Sequence, residues 1–217
     1  MHLIAVAGIS MKLVVHISTV HSAFDQRIFY RECHSLAAAG FETHLIIHNS
    51  TNYQFIDGVH IHSIGEQKSK NPAVNILGRL KSIVKAGRIA KRISADIFHV
   101  HDPELIFLGL WLKATTKAKL ILDCHEDNAG YLLQKQYITP WARKALVWAM
   151  KFTEKMAAMH FDAIIAADRG VAKIFEKSFT AERVVTVHNF PRLELFPFRS
   201  DNQENERPFD LVYHGTI

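Results

Sequence analysis

The sequence predicts an α/β fold built on a doubly wound, mostly parallel sheet. Three observations carry that expectation. Short runs rich in Val, Ile, Leu and Phe alternate with helical segments along most of the chain, the pattern of repeated strand–helix–strand units. Two of these runs, Asp96 to Val100 and Lys119 to Cys124, close on polar clusters, His101-Asp102-Pro103-Glu104 and His125-Glu126-Asp127. Between them, Pro103 to about Ala114 reads as a crossover helix. A right-handed crossover makes the two strands parallel and brings both clusters to one sheet edge, where open α/β sheets bind ligands.

Each element has its own justification. Leu13 to Ser18 reads as a buried strand, and Phe24 to Ala39 as a helix stopping at Gly40, whose missing Cβ permits a left-handed cap. Glu42 to His48 and Val59 to Ile64 read as strands, the second entered through an Asp57-Gly58 turn. Pro72 to Ser94 reads as a basic amphipathic helix with Ile76, Leu80, Ile83, Val84 and Ile93 as its apolar stripe. Pro140 and Trp141 sit in the first turn of a helix running to about His160, with Trp148, Phe152, Met156 and Met159 assigned to the core. Ala163 to Ala166 is a short strand, Asp168 an N-cap for a helix to Phe175, and Val184 to Val187 the last strand of the sheet.

Composition bounds the function. At 217 residues, 48% hydrophobic and 22% charged, the chain is ordinary globular material. Cys33 and Cys124 cannot make a disulfide framework, which points to a reducing, cytoplasmic setting. No apolar run reaches membrane-spanning length, and Met1 to Ser10 lacks the basic start of a signal peptide. A net charge of +5 favours an anionic partner, and nucleic acid is not the one expected. No acid falls between Glu66 and Asp96, so residues 72–94 are either the solvated face of a crossover helix or a surface that rests on anionic membrane.

The first domain is expected over residues 11–198. Arg199 to Pro208 is polar and charged, without apolar periodicity, as a linker is. Phe209 to Tyr213 resumes a strand pattern, so residues 209–217 are expected to open a second α/β domain.

The chemistry expected of the sheet edge rests on a few residues. His125 ends a strand within a polar cluster, where imidazole can hydrogen-bond a hydroxyl or stabilise developing charge. His101, Asp102 and Glu126 join it there. The first strand–helix turn carries His21, Asp25 and Arg27 in place of a glycine-rich phosphate loop. Arg27 beside Asp25 either clamps a phosphate or makes an ion pair. His16, in mid-strand, reads as a hydrogen-bonded core histidine. His99, His101, Asp102, His125, Glu126 and Asp127 contain no paired ligand spacing such as His-Glu-x-x-His, so no metal site is expected.

These same segments carry a resemblance. His21-Ser22-Ala23-Phe24-Asp25-Gln26-Arg27-Ile28-Phe29, His99-Val100-His101-Asp102-Pro103-Glu104-Leu105, Asp123-Cys124-His125-Glu126-Asp127 and Val187-His188-Asn189-Phe190-Pro191, in this order, resemble the recurring segments of retaining glycosyltransferases of family four. The resemblance implies a GT-B architecture of two facing Rossmann-like domains, of which this is the acceptor-side, N-terminal one. It implies His125 as the cleft histidine touching the transferred sugar, and places Asp25 and Arg27 in the first loop near the donor phosphates or acceptor; His21, His101, Asp102 and Glu126 are expected to bind substrate from their position at the sheet edge. It implies a nucleotide-sugar donor, no cofactor, and catalysis without metal.

The expected function is transfer of a sugar to a glycan or lipid-linked acceptor, with a donor domain supplied in cis or in trans and the isolated chain inactive or nearly so. A non-catalytic binding module or subunit is the alternative. A metal-dependent hydrolase using the His–Asp clusters is a third reading.

Overall fold

The computed structural model describes residues 12–66, 76–176 and 181–190. Met11, the Pro72 start of the basic helix, the linker at 199–208 and the expected strand at 209–217 lie outside the described residues. The strands are β1 (Leu13–Ser22), β2 (Glu42–His48), β3 (Tyr53–Ile56), β4 (Val59–Ser63), β5 (Ile97–Val100), β6 (Lys119–Cys124), β7 (Ala163–Ala166) and β8 (Val184–Thr186). They form one sheet in the order β3-β4-β2-β1-β5-β6-β7-β8, parallel at every pairing except β3 with β4. The α/β, Rossmann-like expectation is met.

The helices are α1 (His34–Ala38), α2 (Ile76–Ile93), α3 (Ile106–Thr115), α4 (Asn128–Gln134), α5 (Pro140–His160) and α6 (Arg169–Glu176). Strand order grows one way from β1 to β2 and the other way from β1 to β5, β6, β7 and β8, so right-handed crossovers put α1 on one face and α2, α3, α5 and α6 on the other. The core divides accordingly. Val15, Ile17, Phe98, Val100, Leu120 and Leu122 pack with Ala86, Ala90, Leu112, Ala157, Phe161, Val171 and Phe175, whereas Leu45, Ile47, Val59 and Ile61 pack with Ile28, Phe29 and Cys33. Each fully buried Ile, Leu or Phe here stabilises the fold by roughly 1.5–3 kcal/mol.

Alternation along the strands has a second consequence. Because Val15, Ile17, Phe98, Val100, Leu120 and Leu122 face one way, His16, His99, His101 and Asp123 all face the other, under α1's side of the sheet.

Several expectations are corrected. The first helix does not begin at Phe24: a π-helical segment, Ile28–Cys33, precedes α1. Asp25 caps it, its Oδ1 accepting from the backbone N–H groups of Arg27 at 2.9 Å and Ile28 at 3.0 Å, and the wide turn is closed by Glu32 N–H to Arg27 O at 3.0 Å. Such π-helical turns reorient side chains, and here Arg27 and Glu32 turn toward the sheet. β1 runs on to Ser22, with an irregular register after Ile17, because Asp102 pins Thr19 and Val20. β3 had no expectation. It pairs with β4 through a turn in which Asp57 has φ 50° and Gly58 φ 79°, the geometry of a type I′ hairpin turn.

The aromatic side of α5 is a further correction. Trp148 is 71% exposed, Met159 58% and Phe152 46%, and Met156 is half-buried. The helix packs instead through Val147, Glu154, Ala157 and Ala158; the two alanines let it approach the sheet closely, and its large residues stay outside. The basic helix α2 buries Ala86 and Ala90, and exposes Lys81, Lys85, Arg88, Lys91 and Arg92 together with Leu80 and Val84. Among the described residues no helix is long and apolar enough to cross a membrane.

Candidate active site

The loops after β1, β5 and β6 meet at the C-terminal edge of the sheet, beside the β1/β5 reversal of strand order where such sheets form a crevice. A cavity of about 610 Å³ lies there, lined by His21, His101, Asp102, Asp123, His125 and Glu126 among others. The His101 and His125 rings are 6.1 Å apart, and the His21 and His125 rings 6.0 Å. The sheet edge expected from the sequence therefore does gather the three histidines.

Asp123, which the sequence reading quoted without giving it a role, is the hub. Arg27 donates to it twice, Nε to Oδ2 at 3.0 Å and Nη2 to Oδ1 at 2.8 Å. His101 Nδ1 lies 3.2 Å from Oδ2 and His125 Nε2 also 3.2 Å. The His125 contact is not aligned as a hydrogen bond, so it orients the ring by charge alone. Burial by itself pushes the Asp123 carboxyl up, but hydrogen bonds from His101 and Arg27 hold it well below the usual carboxylate range. The signal in the sequence was an acid in the middle of an apolar strand, a position that requires a partner.

Arg27 is 6% exposed and commits its fork to Asp123, with Nη1 reaching Val187 O at 3.4 Å. Its ion pair is with Asp123 and not with the adjacent Asp25 from which the sequence suggested one. Asp25 takes the capping role and also holds His21, with Oδ2 3.0 Å from Nδ1. Asp102, 3% exposed, accepts at Oδ2 from Thr19 N–H at 2.6 Å, Val20 N–H at 3.2 Å and Ser18 Oγ at 3.0 Å. It fastens the β1 loop to β5, and burial raises its pKa. Glu126 is exposed at the cavity wall.

The two histidines left facing the cavity are biased in opposite directions. The hydrogen bond to Asp25 raises the His21 pKa against burial, while burial lowers that of His125 against the pull of Asp123. One cavity thus pairs an imidazole inclined to carry charge with one inclined to stay neutral. Two wall residues went unremarked in the sequence. Arg79 reaches from α2 to Glu104 at 2.8 Å, and Glu104 in turn accepts from Thr19 Oγ1 at 2.7 Å. Glu154, on α5, is pushed up to about 7 by burial and by Asp127. An acid inside the apolar stripe of a helix was its only sequence signal.

Comparisons with known proteins agree with this frame. A search of curated protein sequences finds no significant match. Among solved structures, sucrose-phosphate synthase from Thermosynechococcus elongatus superposes with a TM-score of 0.67 at 15% identity, covering 88% of this chain and 51% of that one. HepE from Anabaena, in complex with UDP-glucose, gives 0.52 at 11% identity over 85% of this chain and 45% of its own. The catalytic domain of starch synthase IV from Arabidopsis thaliana, bound to ADP and acarbose, gives 0.52 at 11% over 83% and 52%. The chain spans about half the length of these structures. They share its Rossmann-like layer, as found in GT-B glycosyltransferases. The sequence profile of Glycosyltransferase Family 4 matches residues 25–195, which include Asp25, Arg27, His101, Asp102, Asp123, His125 and Glu126. The chain belongs to glycosyltransferase family 4.

Proposed function

We propose that this chain is the acceptor-side domain of a retaining glycosyltransferase that moves a sugar from a nucleotide-sugar to a glycan or lipid-linked acceptor. The observation that carries the reading is the gathering of His101 and His125 on Asp123, with the His21 ring 6.0 Å from that of His125, at one edge of a parallel sheet. A donor domain, in cis or in trans, closes the other side of the cleft.

In this reading His125, held toward its neutral form by burial, hydrogen-bonds the transferred sugar at the point where the acceptor hydroxyl meets it, so an acceptor in the cavity touches the same ring. His21, inclined to its charged form, faces the anionic side of the reaction. Fixed groups of this kind stabilise an oxocarbenium-like sugar and the departing nucleotide diphosphate with little reorganisation. Asp123, Arg27 and Asp102 hold the loops in place. The basic outer face of α2 rests on anionic lipid at the inner side of the membrane, which brings the cavity to a lipid-linked acceptor.

The test is ligand-observed NMR on the 217-residue chain with two panels, nucleotide-sugars and saccharide or lipid-linked acceptors. Binding of an acceptor that His125→Ala removes, with weak or no nucleotide-sugar binding and no turnover, supports the proposal. Nucleotide-sugar binding without any acceptor, or turnover by this chain alone, contradicts it.

A further inference from the structure

Beneath the cavity, on the face of the sheet away from α2, α3, α5 and α6, lies a second cluster. Alternation in β1 and β5 stacks His16, His99 and His101, with ring centroids 4.6 Å apart for His16 and His99 and 4.5 Å for His99 and His101. The π-helical turn delivers Glu32 to them. Its Oε2 lies 3.9 Å from His16 Nδ1, 3.9 Å from His99 Nδ1 and 3.8 Å from His101 Nε2. His16 Nδ1 and His101 Nε2 are 2.9 Å apart.

Hydrogen bonding satisfies this cluster only in part, through the contact between His16 Nδ1 and His101 Nε2. His16 is 0% exposed and His99 4%, and neither Glu32 oxygen has an aligned hydrogen bond. Arg27 Nε comes within 3.0 Å of Glu32 Oε1, but its one hydrogen is directed at Asp123. A carboxyl group set among three buried imidazoles without an aligned partner requires a reason, such as an ion.

The geometry suits a metal. Around a four-coordinate zinc with bonds of about 2.0–2.1 Å, ligand atoms sit roughly 3.3–3.4 Å apart; the separations here, 2.9 Å and 3.8 to 3.9 Å, fall on either side of that value. His101 also has the outer partner that metal-bound histidines show, since its Nδ1 faces Asp123 Oδ2 at 3.2 Å, which leaves the Nε2 lone pair for the centre of the cluster. A cavity of about 710 Å³ lined by His16, Glu32 and His99 provides an entry path. A different group, Glu42, His44 and His60, is a poorer candidate. There the acid is more open to solvent, 38% exposed at Glu42 against 13% at Glu32, and both ring nitrogens of His44 are engaged, by His62 at 2.9 Å and by Glu42 at 3.2 Å.

We propose that His16, Glu32, His99 and His101 form a binding site for a divalent transition-metal ion such as zinc. The ion ties β1, β5 and the π-helical turn together under the loop that carries His125. It lies on the far side of His101 from the cavity, so its role is structural and leaves the transfer chemistry free of metal.

The experiment is a titration of the chelator-treated 217-residue chain with zinc alone, and with cobalt as a spectroscopic probe. The site predicts one equivalent bound, the intense visible absorption of four-coordinate cobalt, and a melting temperature that rises with free zinc. Glu32→Gln preserves the shape of the acid and should fold normally, yet weaken zinc binding by more than the roughly 10–100-fold typical of an outer-shell change. His99→Asn provides the same test should Glu32→Gln fail to fold. His60→Asn should retain the full equivalent. Failure of the folded chain to bind an equivalent at micromolar free zinc overturns the proposal. So does an equivalent that survives both Glu32→Gln and His99→Asn, or one that His60→Asn removes.

Discussion

Arg27 and Asp123 stand 96 positions apart and meet through two parallel hydrogen bonds of 3.0 and 2.8 Å, almost out of reach of solvent. The pair joins the first strand–helix turn to the strand that ends on His125. Paired charges in such a place are costly to separate, because the survivor keeps its desolvation penalty and loses its partner.

Arg27→Ala should therefore destabilise the chain by roughly 3–5 kcal/mol. Arg27→Lys should recover little of this, since an ammonium cannot match the two-pronged geometry. Urea unfolding followed by circular dichroism measures both, and a loss below about 1 kcal/mol for Arg27→Ala would mean the pair is as weak as a surface one.

The buried histidines set an acid limit. Burial, then the neighbouring His101, lowers His99 to about 3, and burial lowers His101 to about 4. Below the ordinary imidazole value of 6.5 the unfolded chain binds more protons than the folded one, so stability falls as pH drops from there toward 4. Glu32 acts in the opposite sense. Burial and Asp123 push it up to about 9 from 4.5, so its contribution declines as pH rises across that interval. Melting temperatures of the chelator-treated chain should peak between the two limits. His99→Gln should flatten the acid side and Glu32→Gln the alkaline side.

Gly109 on α3 leaves no room for a side chain, since a Cβ there would lie 2.7 Å from Cζ of the fully buried Phe161. Gly109→Ala should cost roughly 1–3 kcal/mol through overpacking, read as a lowered urea midpoint with an unchanged slope. An unchanged midpoint would show that α3 and the start of β7 shift apart freely.

The outer face of α2 gives a lipid prediction. Neutralising Lys81, Lys85 and Arg88 to Gln should weaken binding to anionic vesicles by about 100-fold, at about 1 kcal/mol per basic residue near the surface. Neutral vesicles should bind the chain poorly in either form. Equal sedimentation with both lipid types, or no effect of the triple change, would leave α2 as a solvated crossover helix.

The layout was legible in the sequence where local signals and tertiary structure agree. β2 and β7 have the bounds expected from the sequence, Glu42–His48 and Ala163–Ala166, and α5 begins at Pro140 after Thr139. β3 was not legible, because four residues beside a polar loop carry little periodicity. Nor was α4, which starts within the polar cluster and contains Gly130. The aromatic residues of α5 misled because a stripe at helical spacing marks an apolar face without saying whether anything covers it. For the site, the loops at His21, His101 and His125 could be placed because strand ends and crossover handedness place them. The partners of Asp123 and Glu32 could not, since they come from distant strands and from a π-helical turn that the sequence does not announce.

The most direct test of the central claim is the imidazole NMR spectrum of the chain, labelled at histidine, titrated with an acceptor from the binding panel. His21 and His125 should shift together with one affinity, while His44 and His60, near the antiparallel edge, stay still. Shifts confined to His44 and His60, or acceptor binding that leaves His125 unmoved, would contradict that claim.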